Sequence, residues 1–461
     1  MTRLNKISFF LICATPLFAT LAYGTVHQPL IAFFYLIMTV LAVTWAADCL
    51  WTGEMRFSRS VLQVPLALLA LYGIVQIIPF GSVDGSGLSG RSGTISAEPY
   101  ATQVLVLHLL ALAIFFSAAL LHIENTFRLR RIVLVLTIFG FAYSFYAILQ
   151  SVLSPDVIYG IYRPQSAKPF GSFVNRNDFA AIIEMTISLP LGLIFVGALK
   201  SDKRLLYIVA IALMGSALLL SGSRGGLVAL LAEIILIIIL TSRAKGTKSI
   251  VLKSVLSAAL LVAAVGGAIF VGGETSLTRF ADAAASDDIS ASRVQIWSST
   301  ISIISTHLPL GAGLGAFPQA YTLVDPASGL FRVEQAHNDY LQIVADAGIV
   351  GLIIGALFLF WLFREGLRNA AETNAYRRGV AVGAFAGCFA ILVHSLFDFV
   401  LHITAISLMF ITLMSLLVAS GRKFTDDFED LDESREKNPL RANVTSIEGR
   451  RISKLQKRSR C

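Results

Sequence analysis

A handful of ionisable side chains in this sequence stand where helix ends could turn them into a proton-transfer and anion-binding site. His337 lies in QAHNDYLQIVADAGIVG (335–351), one residue before Asn338, a side chain suited to an N-cap. A histidine at a helix entrance is free to point into a cavity, and near neutral pH it can take a proton from a hydroxyl. A packed or capping histidine fits the same position. His337 and Tyr340 share one face of that helix with Leu341, Val344, Ala345 and Gly348. Arg176 lies in GSFVNRNDFA (171–180), where Asn175 or Asn177 can cap the following helix. Arg224 lies in SGSRGG (221–226), a tight turn between apolar runs, and Arg293 opens a helix that carries Trp297. A helix N-terminus offers free N–H groups and a positive dipole end, to which guanidinium adds a two-pronged donor. Three such features on one face suit an anion, and a diphosphate fits. Arginines holding lipid headgroups are the competing reading. In HSLFDFVLH (394–402), His394 and Asp398 are four apart on one helical face, with His402 near its end. They make either a polar clamp beside a site or a buried structural pair. Glu184 and Glu233 fall within apolar runs, where each would neutralise a neighbouring basic group.

The elements that must position these residues are membrane spans. Mean hydropathy is +0.74, with 56% hydrophobic and 14% charged residues, against roughly 25% charged in soluble domains. A span needs roughly 20 mostly apolar residues to cross a hydrocarbon core about 30 Å thick. By that rule the chain has about twelve, near 7–24, 28–50, 60–80, 102–123, 132–153, 177–198, 205–221, 225–241, 250–272, 339–363, 379–401 and 403–420. With the N-terminus in the cytoplasm, every short inner loop is basic: Arg56 and Arg59, Arg128 to Arg131, Lys200 to Arg204, Arg243 to Lys248, Arg364 to Arg378. The net charge of +8 follows from that orientation and not from nucleic-acid binding. The first run, although signal-like, is kept as a span because the charge pattern needs it. The four cysteines (Cys13, Cys49, Cys388 and Cys461) form neither a disulfide framework nor a zinc spacing.

Three outer segments exceed a tight turn: 82–101, 154–176 and 273–338. They hold the outer basic residues Arg91, Arg163, Lys168, Arg176, Arg279, Arg293 and Arg332, to which the 221–226 turn adds Arg224. In the largest, Ser290 to His307 places Val294, Trp297, Ile301 and Ile304 on one helical stripe, with Ser290 or Ser292 as cap. Such a helix can lie along a membrane surface. GAGLGAF (311–317) reads as a turn between two short helices, with no preceding strand to make it a nucleotide loop. The organisation expected is spans 1–5 in 1–153, a core in 154–420 with the loop 273–338, and a solvated charged tail in 421–461.

GSFVNRNDFA, SGSRGG, the R-x-x-x-W of Arg293 to Trp297, LGAGLGAF (310–317) and above all AHNDYLQ-x-x-A-x-x-G (336–348) together resemble the O-antigen ligase / O-antigen polymerase family. The resemblance covers about 171–402. Where that family often has HSxxDFxLHIPA, this chain has HSLFDFVLHITA, with Thr404 in place of proline. The resemblance implies an all-α GT-C class glycosyltransferase of the bacterial inner membrane, with cytoplasmic termini and a large periplasmic loop between spans nine and ten. It implies a glycan donor carried on undecaprenyl diphosphate and surrounding membrane lipids as partners, with no nucleic acid. The family's loop histidine falls on His337, its outer arginines on Arg176, Arg224 and Arg293, and its loop helix on Val294 to Ile304. Asn175, Asn177, Asn338, Tyr340, Trp297, His394 and Asp398 would support them.

On that basis His337 is expected to orient or deprotonate an acceptor hydroxyl, while the arginines stabilise a leaving diphosphate. A lipid diphosphate leaves readily, so neither cofactor nor metal is expected, and the outer loops hold no carboxylate cluster or glycosidase-type pair. Transfer of a whole glycan to a lipid A–core sugar (ligase) is favoured over joining of repeat units (polymerase). The short tail argues against a protein O-oligosaccharyltransferase. A transporter is the non-enzyme alternative, disfavoured because no repeat is visible and the telling residues gather at the outer interface.

Overall fold

A computed structural model describes residues 2–80, 93–164, 168–242, 287–326, 329–330 and 332–424, with isolated positions between 243 and 286. Among these residues the helices are α1 (Arg3–Leu21), α2 (Gln28–Thr52), α3 (Val64–Gln76), α4 (Pro99–His122), α5 (Thr126–Leu153), α6 (Arg176–Val196) and α7 (Ser201–Ser221). They continue with α8 (Arg224–Ser242), α9 (Asp287–His307), α10 (Phe317–Thr322), α11 (Asp339–Asn369), α12 (Ala375–His394) and α13 (Thr404–Ser420). The extended pairings there are two isolated bridges, Ile158 with Tyr162 and Phe170 with Phe173. Nine of these helices are long and apolar enough to cross a membrane, and Val61–Gln76 and Thr404–Ser420 are shorter apolar ones. The chain is an all-α polytopic membrane protein. The expected span 250–272 lies outside the described residues apart from isolated positions, as do Arg91, Arg279 and the chain beyond Phe424.

Two spans end elsewhere than the sequence predicts. The tenth continues to Asn369, because Arg364 and Arg368 can carry their charges out of an apolar layer on their own stems without interrupting the helix. The eleventh stops at His394 and not near 401. The carbonyls that would continue it are taken by another helix: Ser395 O accepts from Asp339 N (3.0 Å) and Leu396 O from Asn338 Nδ2 (2.9 Å).

The bundle is built around α6, whose side chains are buried without interruption from Asp178 to Leu193. Its tightest neighbour is α12, through glycines at four-residue spacing. A Cβ on Gly383 would meet Ser188 O at 2.6 Å, and one on Gly387 would meet Ser188 Oγ at 2.5 Å. Small residues let membrane helices approach until backbones touch, where packing rather than the hydrophobic effect holds them.

One end of the bundle is basic, and its arginines cap helix C-termini. Arg128 donates to His122 O (2.8 Å), Arg377 to Ser420 O (2.9 Å), Arg378 to Ala370 O (2.9 Å) and Arg422 to Leu120 O (2.5 Å). Each guanidinium thus meets carbonyls that a helix leaves unsatisfied and the negative end of its dipole.

At the opposite end the GAGLGAF turn interlocks with a break in α11. Gly348 interrupts that helix at φ 57°, ψ −142°. Ile349 N donates to Pro309 O (2.9 Å), Ala312 N to Ala345 O (2.8 Å) and Gly313 N to Asp346 O (3.0 Å). Gln76 completes the seam, accepting from Leu314 N (2.9 Å) and donating to Asp346 O (3.0 Å).

Candidate functional site

The seam holds the entrance of α11, and with it His337, in place. Asn338 is the N-cap, accepting from Tyr340 N and Leu341 N at 3.0 Å each. Gln342 reaches back to accept from Ala336 N at 2.7 Å, so the residues on both sides of His337 are tied down. Asp339 accepts from Ser395 Oγ (2.7 Å) and lies 2.9 Å from His402 Nδ1, and Tyr340 Oη donates to Leu392 O (2.8 Å). Tyr340 therefore braces the turn. His337 adopts φ 50°, in the left-handed region, and its ring meets Phe399 edge-on at 4.8 Å.

The node of the site is Asp398, in the turn between α12 and α13 with its side chain 3% exposed. His337 Nδ1 lies 3.0 Å from its Oδ1, which also accepts from Phe399 N at 3.0 Å. Asn177 Nδ2 donates to Oδ2 at 2.5 Å, and Arg293 Nη2 lies 3.5 Å from the same oxygen. Burial raises the pKa of this carboxyl, but the His337 hydrogen bond, the His337 charge and the Arg293 guanidinium outweigh it. The net effect is a drop from the ordinary 3.8 to about 2. An ionised carboxylate only accepts, so Nδ1 of His337 carries the hydrogen and a neutral ring keeps Nε2 as acceptor.

Asn175 is the cap of α6, accepting from Asn177 N at 3.0 Å, while Asn177 turns its amide to Asp398. Arg176 reaches the 221–226 turn, its Nη1 lying 3.4 Å from where a Cβ of Gly222 would be. It also lines a cavity of about 170 Å³ with Lys168, Asp156 and Ser221. Arg224 begins α8 and is exposed, with Ser223 Oγ accepting from Gly226 N at 3.1 Å as its cap. That turn seats on a buried pair, His394 Nδ1 and Glu184 Oε1, 2.9 Å apart. A Cβ on Gly225 would meet His394 Cδ2 at 2.9 Å, and one on Gly226 would meet Glu184 Oε1 at the same distance.

Three expectations are corrected. His394 and Asp398 are not a pair: the helix ends at His394, so His394 turns inward to Glu184 and Asp398 outward to His337. Arg293 does not open its helix, which starts six residues earlier at Asp287. On the apolar stripe of α9, Val294 and Ile301 are exposed and Trp297 and Ile304 half-buried, while Ile303, Ser299 and Thr300 are buried. Glu233, buried on α8, has no basic neighbour and no hydrogen-bond partner among the described residues. On α11, the buried polar residues Gln342 and Asp346 were missed, although their four-residue spacing in an apolar run was a readable signal.

Two cavities adjoin the site on the side of α1–α4. One, of about 630 Å³, is lined by Tyr35, Tyr100, Arg332, Gln335, Phe399 and His402 among others. The other, of about 310 Å³, is an apolar groove bounded by α3, α4, α11 and α13.

Among known families, the model of the O-antigen ligase family matches residues 209–356. No curated protein matches the chain. The matched stretch contains Arg224, Arg293, Trp297, His337, Asn338 and Tyr340, while Arg176, Asn177 and Asp398 lie outside it. Residues 209–356, with His337 and two of the three arginines, are thus the part of this polytopic membrane protein that is similar to the O-antigen ligase family.

Proposed function

We propose that this chain is an inverting glycosyltransferase that moves a glycan from undecaprenyl diphosphate to an acceptor hydroxyl at the periplasmic face, as an O-antigen ligase acting on lipid A–core. The observation that carries the reading is the His337–Asp398–Arg293 constellation: a histidine oriented through Nδ1, with a guanidinium on the other carboxylate oxygen. Nε2 takes the proton as the acceptor oxygen forms its bond to the anomeric carbon. The bond from that carbon to the phosphate oxygen breaks, and the diphosphate leaves with the electron pair. Charge develops on the leaving oxygens, so cations held nearby lower the barrier. Arg293, Arg176 and Arg224 are the groups proposed for this role. The basic C-caps at the other end of the bundle support an orientation with that end in the cytoplasm.

The test is complementation of a strain lacking this gene with His337→Ala, Arg224→Ala, Arg293→Ala and Asp398→Asn, with membrane expression checked and surface glycans separated on a gel. All four are expected to be made and to lose or sharply reduce the glycan. Loss of every repeat unit from lipid A–core means ligase, whereas caps of a single unit mean polymerase. Full glycan with His337→Ala would sink the general-base assignment.

A further inference from the structure

We propose that the basic end of the bundle carries a binding site for a phospholipid with an anionic head group, seated in a cavity of about 570 Å³ between α1 and α5. On α1 the lining residues Lys6, Phe9, Phe10, Cys13, Ala14 and Leu17 follow helical spacing and so share one face. On α5, Phe127, Arg128, Arg131 and Val135 do the same. Both helices begin at the basic end, so the three cations stand in their first two turns and the apolar lining continues inwards. From Lys6 to Leu17 α1 advances ~16 Å at 1.5 Å per residue, which matches half of a hydrocarbon core about 30 Å thick. Charge at the mouth, with one leaflet's depth of apolar wall behind it, is the order of groups in a phospholipid.

The cations differ in what they already hold. Arg128 is buried and fixed: it donates to His122 O (2.8 Å) and to Asn5 Oδ1 (2.5 Å), pairs with Glu124 (3.0 Å) and lies 4.6 Å over the Phe9 ring. Glu124 is shared with Arg56 at 3.7 Å. Lys6 and Arg131 are exposed, and among the described residues neither is in a salt bridge. Arg131 lies 4.5 Å over the Phe127 ring, which keeps its guanidinium on α5 beside the cavity. Two cations without a carboxylate of their own attract a phosphate, and Arg128 adds a third charge at a fixed place. A zwitterionic head group would bring its ammonium against like charge, so an anionic one is favoured.

Orienting the chain in a membrane requires charge at this end but no cavity. Arg130, outside the cavity and 5.1 Å over the Tyr376 ring, contributes to that bias without one. Basic pockets between spans are where lipid head groups bind. Phe10 and Phe127, both exposed, flank this one, so a lipid can enter it sideways. The site lies at the opposite end of the bundle from His337 and does not depend on the reaction proposed above.

The test is native mass spectrometry of the full-length protein. It is stripped of lipid in detergent and offered equal amounts of dioleoyl-phosphatidylglycerol and dioleoyl-phosphatidylcholine. One bound phosphatidylglycerol is expected in preference to phosphatidylcholine. A basic side chain near an anionic lipid is worth roughly fivefold in affinity, so Lys6→Gln combined with Arg131→Gln should weaken binding roughly 25-fold. Ala14→Trp fills the half-buried apolar wall while leaving every charge in place, and should also lose the lipid. Lys203→Gln with Arg204→Gln, exposed on α7 at the same end, should keep it. Equal retention of the two lipids, or unchanged binding in the Lys6 and Arg131 variant, overturns the proposal. Wild-type binding by Ala14→Trp overturns it too, because the cations then hold a phosphate without a tail. The same holds for an equal loss in the α7 variant, which would make net charge and not the groove responsible. The lipid that accompanies the protein before stripping is identified in the same way. If it is a polyprenyl diphosphate that the Lys6 and Arg131 variant loses, the groove serves the donor and the phospholipid site falls.

Discussion

Asp398 decides two things about His337: which ring nitrogen carries the hydrogen, and where the ring points. Replacing Asp398 with Asn keeps the shape but removes the acceptor-only character, so His337 can present the wrong tautomer. General-base assistance is worth about 10²–10⁴-fold in rate. His337→Ala should lose all of that, and Asp398→Asn a large part, with donor binding kept, as initial rates of glycan transfer in vesicles would show. The same carboxyl gives a pH prediction. Its folded value of about 2 lies below the ordinary 3.8, so its contribution to stability is present above pH 3.8 and is lost as pH falls towards 2. The gap in melting temperature between wild type and Asp398→Asn, measured in detergent in buffers of equal ionic strength, should narrow as pH falls below about 4. A gap that closes between pH 7 and pH 5 would mean that a different group dominates. At this scale the sequence was informative about types and poor about partners. His337 and Asn177 stood out as polar residues at a helix start and Asp398 as a polar residue within a span, but their meeting depends on α12 stopping at His394, and no periodicity announces that stop.

The elements impose a second set of constraints, through close approaches rather than side-chain chemistry. The break at Gly348 admits Pro309 O, which would lie 2.2 Å from a Cβ at that position. A left-handed φ adds a conformational cost of order 1–3 kcal/mol for any other residue. Gly348→Ala should therefore loosen the seam between the GAGLGAF turn and α11, and limited proteolysis should cut near residues 308–316 faster than in wild type. Gly383→Leu acts on a different contact, the α6–α12 crossing, where backbone meets backbone. It should reduce folded yield and transfer together, since α6 carries Asn177 and α12 leads to Asp398; unchanged yield would mean that the two helices can separate without consequence. Helix existence and most ends were legible from apolar runs, caps and turns. The interlock was not, because it joins residues 309–314, 345–349 and 76 across long separations, and hydrophobic periodicity carries no long-range pairing.

The whole molecule is polarised. One end gathers arginines onto the C-terminal carbonyls of α4, α11 and α13, and the other gathers residues from the N-termini of α6 and α11 around Asp398, with the start of α8 against the neighbouring His394. Both arrangements follow from helix dipoles, which favour cations at one pole and anionic groups at the other. The charge bias that orients a membrane protein and the capping that stabilises its helix ends are thus supplied by the same side chains. This makes topology testable by two positions. Ser298, exposed on α9 one turn past Trp297's neighbour Arg293, belongs to the site end, and Thr373, exposed between α11 and α12, to the basic end. Each is replaced by cysteine in a background where the native cysteines are serine, of which Cys388 is buried and Cys13 and Cys49 half-buried. A membrane-impermeant maleimide added to cells with a permeabilised outer membrane should label Ser298→Cys at once and Thr373→Cys only after lysis. The opposite pattern would place the His337 site in the cytoplasm. The periplasmic reading of the reaction would then fall, while the His337–Asp398 geometry would remain to be explained by a cytoplasmic acceptor.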